Sequence, residues 1–571
     1  MFFIYLLGVN LLVFLPLYFF NIKEQPNPFA FLEKGMTVKE ILRSLIVWRE
    51  SSDPFRVLFE YSVFMLLFSA LGIQSTFVTS VGAIIFSFSL IYVIYISSIQ
   101  AIFKTPANIN SDLSFLKNGI PLLRHWKYPL LIGMLLLLGV IGLIGFHLTR
   151  FLFEIQNQPP FFLSLLIISL STVIALKGIN TMAYRLLSCK NVFFVTSHFI
   201  KNIQRSKPFK ELVQADSSYF EKFNSYQNVI LDENAPNIKI ISVEAYGAIL
   251  FENEKFRETI QPFQNEELIN KLKAKGYRMA SSFSIAPIFG GGSWLSYSSI
   301  LYGLKFDDKL LFELLFSESK SFFAFDSIFD ILRRNGYKNF TFSGIEYLKK
   351  APIDWSKIKK NLRFDTFFDY NDIAFKGTSS KFAATHTAIP DQYSCNKVQK
   401  MIREKHEGLY SLFYSTLNSH SPYESPTELI NNWEDLDRCE YGTNYAEKNT
   451  VKRYQSAIKY QLDALFDSID NGDDNSIYIL FGDHQPAFVA KAKDGFHTPM
   501  HIIYKDEKFI QPFLEKGFVK GYTPNSVDKS HIRHEGFLSL LINSLNIAYG
   551  KNKELNIPYM PNGVDIFRKD V

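Results

Sequence analysis

Apolar residues are distributed unevenly along this chain of 571 residues. Through about residue 182 they form long unbroken runs. Beyond that point they recur in short bursts between charged positions. A stretch of about 20 apolar residues crosses a bilayer as a helix, and five stretches approach or meet that length, at about 1–20, 57–75, 78–103, 128–149 and 160–180. From Tyr61 to Phe103 there is no charged residue at all, with a break near Gly72-Ile-Gln-Ser-Thr76. Buried core helices of a soluble protein do not explain five such runs in succession. The first run lacks a basic start and a small-residue cleavage site, so it reads as a retained anchor. Residues 1–182 are therefore expected to form a helical membrane domain with five transmembrane helices.

Residues 183–237 turn polar and mixed in charge, and predict a juxtamembrane helical connector ending in a loop at Asp232-Glu-Asn-Ala-Pro-Asn237. From residue 238 to 571, short apolar strands alternate with helical patterns, which predicts an α/β domain with a central, mostly parallel sheet. The expected strands are Ile238–Val243, Asn339–Ser343, Tyr410–Leu417, Ser476–Phe481 and Met500–Tyr504. A helix is expected over Phe322–Asn335, stopped by Gly336, and a closing helix over Gly536–Leu545.

Ligands of open α/β sheets gather at the carboxyl ends of the strands, and Glu244, His420, Asp483 and His484 all fall at such ends. Glu244, in Ser-Val-Glu-Ala-Tyr-Gly, reads equally as a helix cap. Asp483-His484, in Phe-Gly-Asp-His-Gln-Pro, offers one hard oxygen and one imidazole, a combination suited to zinc or manganese; its plain alternative is an Asp-initiated turn. Ser293 follows three glycines and precedes a helical pattern through Trp294, Leu295, Tyr297, Ser298 and Leu301. It would stand at a helix N-terminus, where free N–H groups and the dipole favour an anion. A serine hydroxyl becomes a competent nucleophile when metal coordination lowers its pKa; the plain alternative is a Ser N-cap after a glycine turn. His420, in Ser-His-Ser-Pro-Tyr, and His497, in Phe-His-Thr-Pro-Met, are candidates to hold a phosphate or protonate a leaving oxygen. His501 reads as a strand residue.

Composition changes this picture little. Sixty-one Lys and Arg against 55 Asp and Glu, with no concentrated basic run, give no sign of nucleic-acid binding. The three cysteines, Cys189, Cys395 and Cys439, have no metal-binding spacing and form no disulfide framework. Cys395 and Cys439 could pair outside the membrane.

Taken together, Ser-Val-Glu244-Ala-Tyr-Gly, Gly-Gly-Gly-Ser293-Trp, Ser-His420-Ser-Pro-Tyr and Gly-Asp483-His484-Gln-Pro resemble the alkaline phosphatase/sulfatase superfamily, in its membrane-bound lipid-dependent transferase branch. That branch includes lipoteichoic acid synthases and the phosphoethanolamine and phosphoglycerol transferases. The resemblance covers roughly residues 238–548, and five preceding spans match the branch's layout. It implies one catalytic divalent metal (zinc or manganese, with magnesium as a further candidate) on Glu244, Ser293, Asp483 and His484. Ser293 would be the nucleophile, His420 would lie near the substrate phosphate, and His497 would match a second-histidine region loosely.

The activity implied is transfer of phosphoglycerol or phosphoethanolamine from a membrane phospholipid to a cell-envelope glycan or lipid acceptor. The best-known transferases carry threonine where Ser293 stands. No Cys/Ser-x-Pro/Ala-x-Arg motif surrounds Ser293 or any cysteine, which sets the chain apart from sulfatases proper. A membrane-anchored phosphodiesterase and a non-catalytic envelope scaffold are the alternatives. The resemblance places the chain in the cytoplasmic membrane with its catalytic domain outside. Basic residues concentrated in the loops after the first and third spans favour the opposite orientation by the positive-inside rule.

Overall fold

The computed structural model describes residues 8–9, 12–16, 58–104, 107–113, 127–154, 194–264, 267–345, 362–382, 386–491, 494–529 and 532–567. The chain divides into two compact units, Met1–Lys207 and Pro208–Val571.

In the first unit the longer described helices are α1 (Phe59–Ala70), α2 (Thr76–Phe103), α3 (Lys127–Glu154) and α4 (Phe194–Gln204). Segments Thr76–Ala101 and Leu136–Glu154 are long and apolar enough to cross a membrane. Helix α1 has 12 residues, about 18 Å at 1.5 Å per residue, short of a bilayer's hydrocarbon core. It stops where Gly72 takes a left-handed conformation (φ 65°), and α2 restarts on the Ser75 hydroxyl, which accepts from the Val78 N–H at 3.2 Å. The expected fifth span, 160–180, and most of the first lie outside the described residues. Glycines bring α2 and α3 together: a Cβ at Gly145 would stand 2.8 Å from Ser87 Oγ, and one at Gly82 2.6 Å from Thr149 Cγ2. Small residues at such crossings permit the close van der Waals contact that holds apolar helices together.

The second unit is built on an eight-stranded sheet. In chain order its main-sheet strands are β1 (Asn237–Val243), β2 (Arg278–Ile285), β3 (Lys338–Phe342), β4 (Thr366–Phe368), β7 (Tyr410–Ser415), β8 (Ser476–Gly482), β9 (His497–Tyr504) and β10 (Val519–Lys520). Strands β5 (Ser380–Phe382) and β6 (His386–Ala388) form a separate ribbon. The spatial order is β10-β2-β9-β8-β1-β7-β3-β4. Neighbours from β8 to β4 run parallel, whereas β9 pairs antiparallel with both β8 and β2, and β10 antiparallel with β2. The sheet is thus mixed, a correction to the mostly parallel expectation. The strand expected at Met500–Tyr504 starts at His497 and runs back antiparallel between β8 and β2.

Alternation along the strands explains two buried faces. Ile238, Ile240, Ile477, Ile479 and Phe481 join one core cluster, and Ile241, Val243, Tyr478 and Leu480 the other. The first face is covered by α5 (Ser293–Tyr302), α6 (Ile328–Arg334) and α9 (His534–Tyr549), the second by α7 (Asp391–Lys405) and α8 (Thr450–Asp470). Both faces being covered accounts for strands that read as nearly continuous apolar runs. The helix expected over 322–335 begins instead at Ile328, after a 3-10 turn at Phe322–Ala324. Ser327 and Asp330 form a capping box there, giving the backbone a start signal stronger than the preceding phenylalanines.

One exception to the apolar pattern is Lys239, 1 % exposed in mid-strand. Its Nζ lies 3.2 Å from Asp473 Oδ2, and burial pulls its pKa down to about 8.

Candidate active site

Register brings the first two candidate residues together. In the parallel β1–β8 pair, Val243 stands opposite Gly482, so the next residues, Glu244 and Asp483, leave the sheet side by side. A Cβ on Gly482 would collide with the Tyr246 carbonyl, and only glycine allows this approach. Beyond Glu244, Ala245 takes a left-handed conformation (φ 51°), costly for a residue with a Cβ. It is held there by its N–H on Asp483 Oδ1 (2.8 Å) and its carbonyl on the Tyr454 hydroxyl (2.7 Å).

The same sheet edge receives the end of β2, whose Ile285 pairs with His497 at the start of β9. From there the glycine loop runs to α5. Gly291 and Gly292 have φ of 71° and 85°, and Gly292 occupies the cap position. Ser293 is consequently the first helical residue, with its hydroxyl free of any capping duty. That hydroxyl donates to Glu244 Oε2 at 3.1 Å and lies 3.2 Å from His484 Nε2.

The imidazole of His484 is oriented by its own turn. Nδ1 lies 2.9 Å from the Gln485 carbonyl, which can only accept, so Nδ1 carries the proton. Nε2 then presents a lone pair, which receives the Gly291 N–H at 3.2 Å. Such a bond on the far nitrogen is how proteins fix the tautomer of a ligating histidine. Nε2 faces Glu244 Oε1 at 3.6 Å and Asp483 Oδ2 at 3.5 Å.

Asp483 Oδ1 accepts the backbone N–H groups of Ala245 and His484, while Asp483 Oδ2 is buried with no hydrogen-bond partner. Burial, and after it the charge of Asp483, holds the Glu244 carboxyl well above the usual carboxylate range. Ligating atoms of Glu244, Asp483 and His484 all lie within 4.8 Å of one another, and among the described residues this is where three such side chains converge. Two carboxylates and an imidazole lone pair facing one another in a buried space, one oxygen orphaned, are a mutually repulsive set that a divalent cation would satisfy. The donors present fit such an ion.

His420 and His497 do not join this group. The His420 ring carries its Nδ1 proton to the Ser421 carbonyl at 2.7 Å. Its loop is nevertheless tied to the site from behind, because the Ser419 hydroxyl and the Gln461 amide both donate to the Glu244 carbonyl. Asp391 anchors the same loop, accepting the N–H groups of Leu417 (3.0 Å) and Asn418 (2.9 Å) and the Tyr414 hydroxyl (3.1 Å). His497 braces the edge through its backbone: its carbonyl accepts from Ala248 N and Gln485 Nε2, each at 3.0 Å. Burial lowers its ring pKa. His501 is a buried strand residue, bonded to Tyr246 (3.0 Å) and Ser281 (2.7 Å). Cys395 and Cys439 are free thiols.

Sequence reasoning passed over Thr416 and Gln461, and gave no role to Gln485 beside the Asp483-His484 pair. The Thr416 hydroxyl receives the Glu244 N–H at 2.9 Å. Neither Thr416 nor Gln461 stands in a pattern that marks it out, and each acts through a contact with Glu244 distant in sequence.

Residues 263–514 match the sulfatase family, a span that takes in Ser293, His420, Asp483, His484 and His497 and begins after Glu244. No curated protein matches the sequence. Among solved structures, the chain is similar to the integral membrane lipooligosaccharide phosphoethanolamine transferase A of Neisseria meningitidis, at 13 % identity and a TM-score of 0.40, covering 87 % of this chain and 97 % of that one. It is also similar to the lipoteichoic acid synthase LtaP of Listeria monocytogenes (13 %, TM-score 0.37, 63 % and 81 %). A third is the Streptococcus pyogenes phosphoglycerol transferase GacH in complex with sn-glycerol-1-phosphate (12 %, TM-score 0.31, 59 % and 81 %). The domain assignment rests on the family match and not on these distant likenesses.

Proposed function

We propose that this chain, which carries a sulfatase-family domain, is a membrane-anchored phosphotransferase. It would move a phosphoglycerol or phosphoethanolamine headgroup from a membrane phospholipid to a glycan or lipid acceptor of the cell envelope, through an ester on Ser293. The observation that carries the reading is the Ser293 hydroxyl itself: released from capping, at the N-terminus of a ten-residue helix, 3.1 Å from Glu244 and 3.2 Å from His484, beside the orphaned oxygen of Asp483.

Glu244, Asp483 and His484, with Ser293, would hold one divalent metal, whose charge would lower the serine pKa and offset the negative charge of the phosphoryl oxygens. The residues of the chain divide the remaining work. The Ser293 proton already points at Glu244 Oε2 and leaves in that direction as Oγ bonds to phosphorus. The bond from phosphorus to the diacylglycerol oxygen breaks, and His420, entering the cycle as the imidazolium, supplies that oxygen's proton from Nε2 while Nδ1 keeps its own on the Ser421 carbonyl. The positive end of the α5 dipole stabilises the charge that develops on the phosphoryl oxygens. In the second half an acceptor hydroxyl gives its proton to His420 and bonds to phosphorus, and Ser293 Oγ departs and recovers a proton.

The apolar helices of the first unit would hold the domain at its lipid donor, in the cytoplasmic membrane with the catalytic domain on the outer side. This orientation overrides the basic-loop count and rests on the resemblance of the Glu244, Ser293, His420 and Asp483-His484 motifs to the lipid-dependent transferase branch.

The test is the mass of the Ser293 peptide from protein purified out of its native membrane, with Ser293→Ala as control. The expected outcome is a phosphoglycerol or phosphoethanolamine adduct on Ser293, absent from the variant, which also releases no diacylglycerol. Release of free glycerol phosphate or phosphoethanolamine would make the enzyme a phosphodiesterase. An unmodified serine with neither product formed would refute the reading.

A further inference from the structure

His534 is the first residue of α9, far in sequence from every candidate residue, and fully buried. Its two ring nitrogens reach two different parts of the site. Nδ1 lies 2.9 Å from the Ser296 hydroxyl, and Ser296 Oγ donates to the Asp483 backbone carbonyl at 2.5 Å. A hydroxyl has one proton, and Ser296 has given its own to a carbonyl. It must therefore accept from His534, which fixes the proton on Nδ1. Nε2 is then an acceptor for the Thr498 hydroxyl at 3.1 Å, a shorter contact than that hydroxyl makes with the Ser284 carbonyl at 3.5 Å. The chain of donors has one direction: Thr498 to His534, His534 to Ser296, Ser296 to Asp483.

The three partners belong to three elements. Ser296 sits one turn beyond Ser293 on α5, Asp483 is the residue after β8, and Thr498 follows His497 on β9. Burial of the ring among apolar groups, including Phe481 at 5.6 Å edge-on, keeps the imidazole neutral.

We infer that His534 is a positioning residue: it holds the nucleophile helix against the Asp483 strand end and so sets the placement of Ser293 relative to the carboxylates. Resting on the reaction proposed above, this names a residue that touches neither substrate nor the reacting atoms. A plain structural role would make the ring an exchangeable part of the core. A positioning role requires the directed hydrogen bond to Ser296.

The experiment compares full-length wild type with His534→Leu, His534→Asn and Ser296→Ala. It follows headgroup release from lipid donor, cleavage of bis-p-nitrophenyl phosphate, and thermal unfolding to normalise for folded protein. Leucine fills much of the ring's volume without a donor, whereas the asparagine amide can present an N–H where Nδ1 stood. A misplacement of the nucleophile by about 1 Å costs up to roughly 100-fold in rate. His534→Leu and Ser296→Ala should therefore lose about tenfold or more in kcat per folded molecule with KM within about twofold, and His534→Asn should stay within about threefold of wild type.

Equal losses in the leucine and asparagine variants, or an unchanged kcat in Ser296→Ala, would overturn the inference. Should His534→Leu fail to fold, Ser296→Ala and His534→Asn decide it. Wild-type cleavage of the nitrophenyl diester without any lipid headgroup release would remove the proposed reaction and leave the His534 comparison intact. The rate at which a nitrophenyl phosphonate labels Ser293 gives the same comparison if neither substrate turns over.

Discussion

Asp391 offers the sharpest quantitative prediction. It lies at the start of α7, fully buried, and anchors the loop that carries His420 by accepting two backbone N–H groups and the Tyr414 hydroxyl. Burial raises its pKa from 3.8 to about 7, against the opposing pull of those donors. A carboxyl whose folded pKa is raised binds its proton more tightly in the folded state. Folding stability is therefore greatest below about pH 4, falls as pH rises towards 7, and is level above that.

At about 1.4 kcal/mol per pH unit the whole fall is at most about 4 kcal/mol, and a few kcal/mol is the working expectation for so buried a group. Asp391→Asn removes the titration. Its Oδ1 can still accept from Leu417 and Asn418, and its amide can donate to Tyr414. The variant should match wild type near pH 3.5, below the unfolded pKa, and be the more stable protein at pH 8.

Cys395 provides the assay, because it is buried one turn along the same helix. Its modification by a dithiodipyridine reagent requires opening, and Cys395→Ser identifies its kinetic phase. Comparing wild type with the variant at the same pH cancels the thiol's own ionisation. The wild-type rate should exceed the variant's by about tenfold or more at pH 8, and equal it within about twofold near pH 3.5, since 1.4 kcal/mol is a factor of ten. A rate ratio that does not change between about pH 3.5 and pH 8 would refute the argument.

Two further substitutions test how the sheet supports the site. Gly482→Ala must push its Cβ against the Tyr246 carbonyl and separate β8 from the turn after Glu244; a loss of about 1–3 kcal/mol in urea unfolding, with weakened manganese binding, is expected, and unchanged manganese binding would show that the close approach is dispensable. Lys239→Met replaces a buried cation whose partner Asp473 keeps Arg403 at 3.2 Å and some access to solvent; stability should stay within about 2 kcal/mol of wild type and could rise, whereas a loss above about 3 kcal/mol would mean that the pair is strongly favourable.

Much of this architecture is written locally. Unbroken apolar runs such as Thr76–Phe103 declare helices able to cross a membrane, because a bilayer leaves backbone groups no partner but each other. The alternation in Ile238-Lys-Ile-Ile-Ser-Val and Ser476-Ile-Tyr-Ile-Leu-Phe declares strands, and the turn chemistry after each puts Glu244 and Asp483 at strand ends. The glycine run before Ser293 announces a helix start. Each signal depends on residues within one or two turns of chain.

Pairing was decided elsewhere. No periodicity says that Val243 stands opposite Gly482, or that β9 runs back between β8 and β2, since a strand's pattern specifies which face is buried and not its neighbour. That pairing turned the expected mostly parallel sheet into a mixed one and placed His497 at the site edge through its backbone, with its ring outside the cluster of ligating side chains. It likewise gave His534 its two partners, one 238 positions and the other 36 positions away in the chain. Local sequence fixes what each segment becomes because hydrogen bonds within a turn and side-chain periodicity are short-range. Which segments meet depends on burying all the apolar faces at once, and that condition exists only in the folded whole.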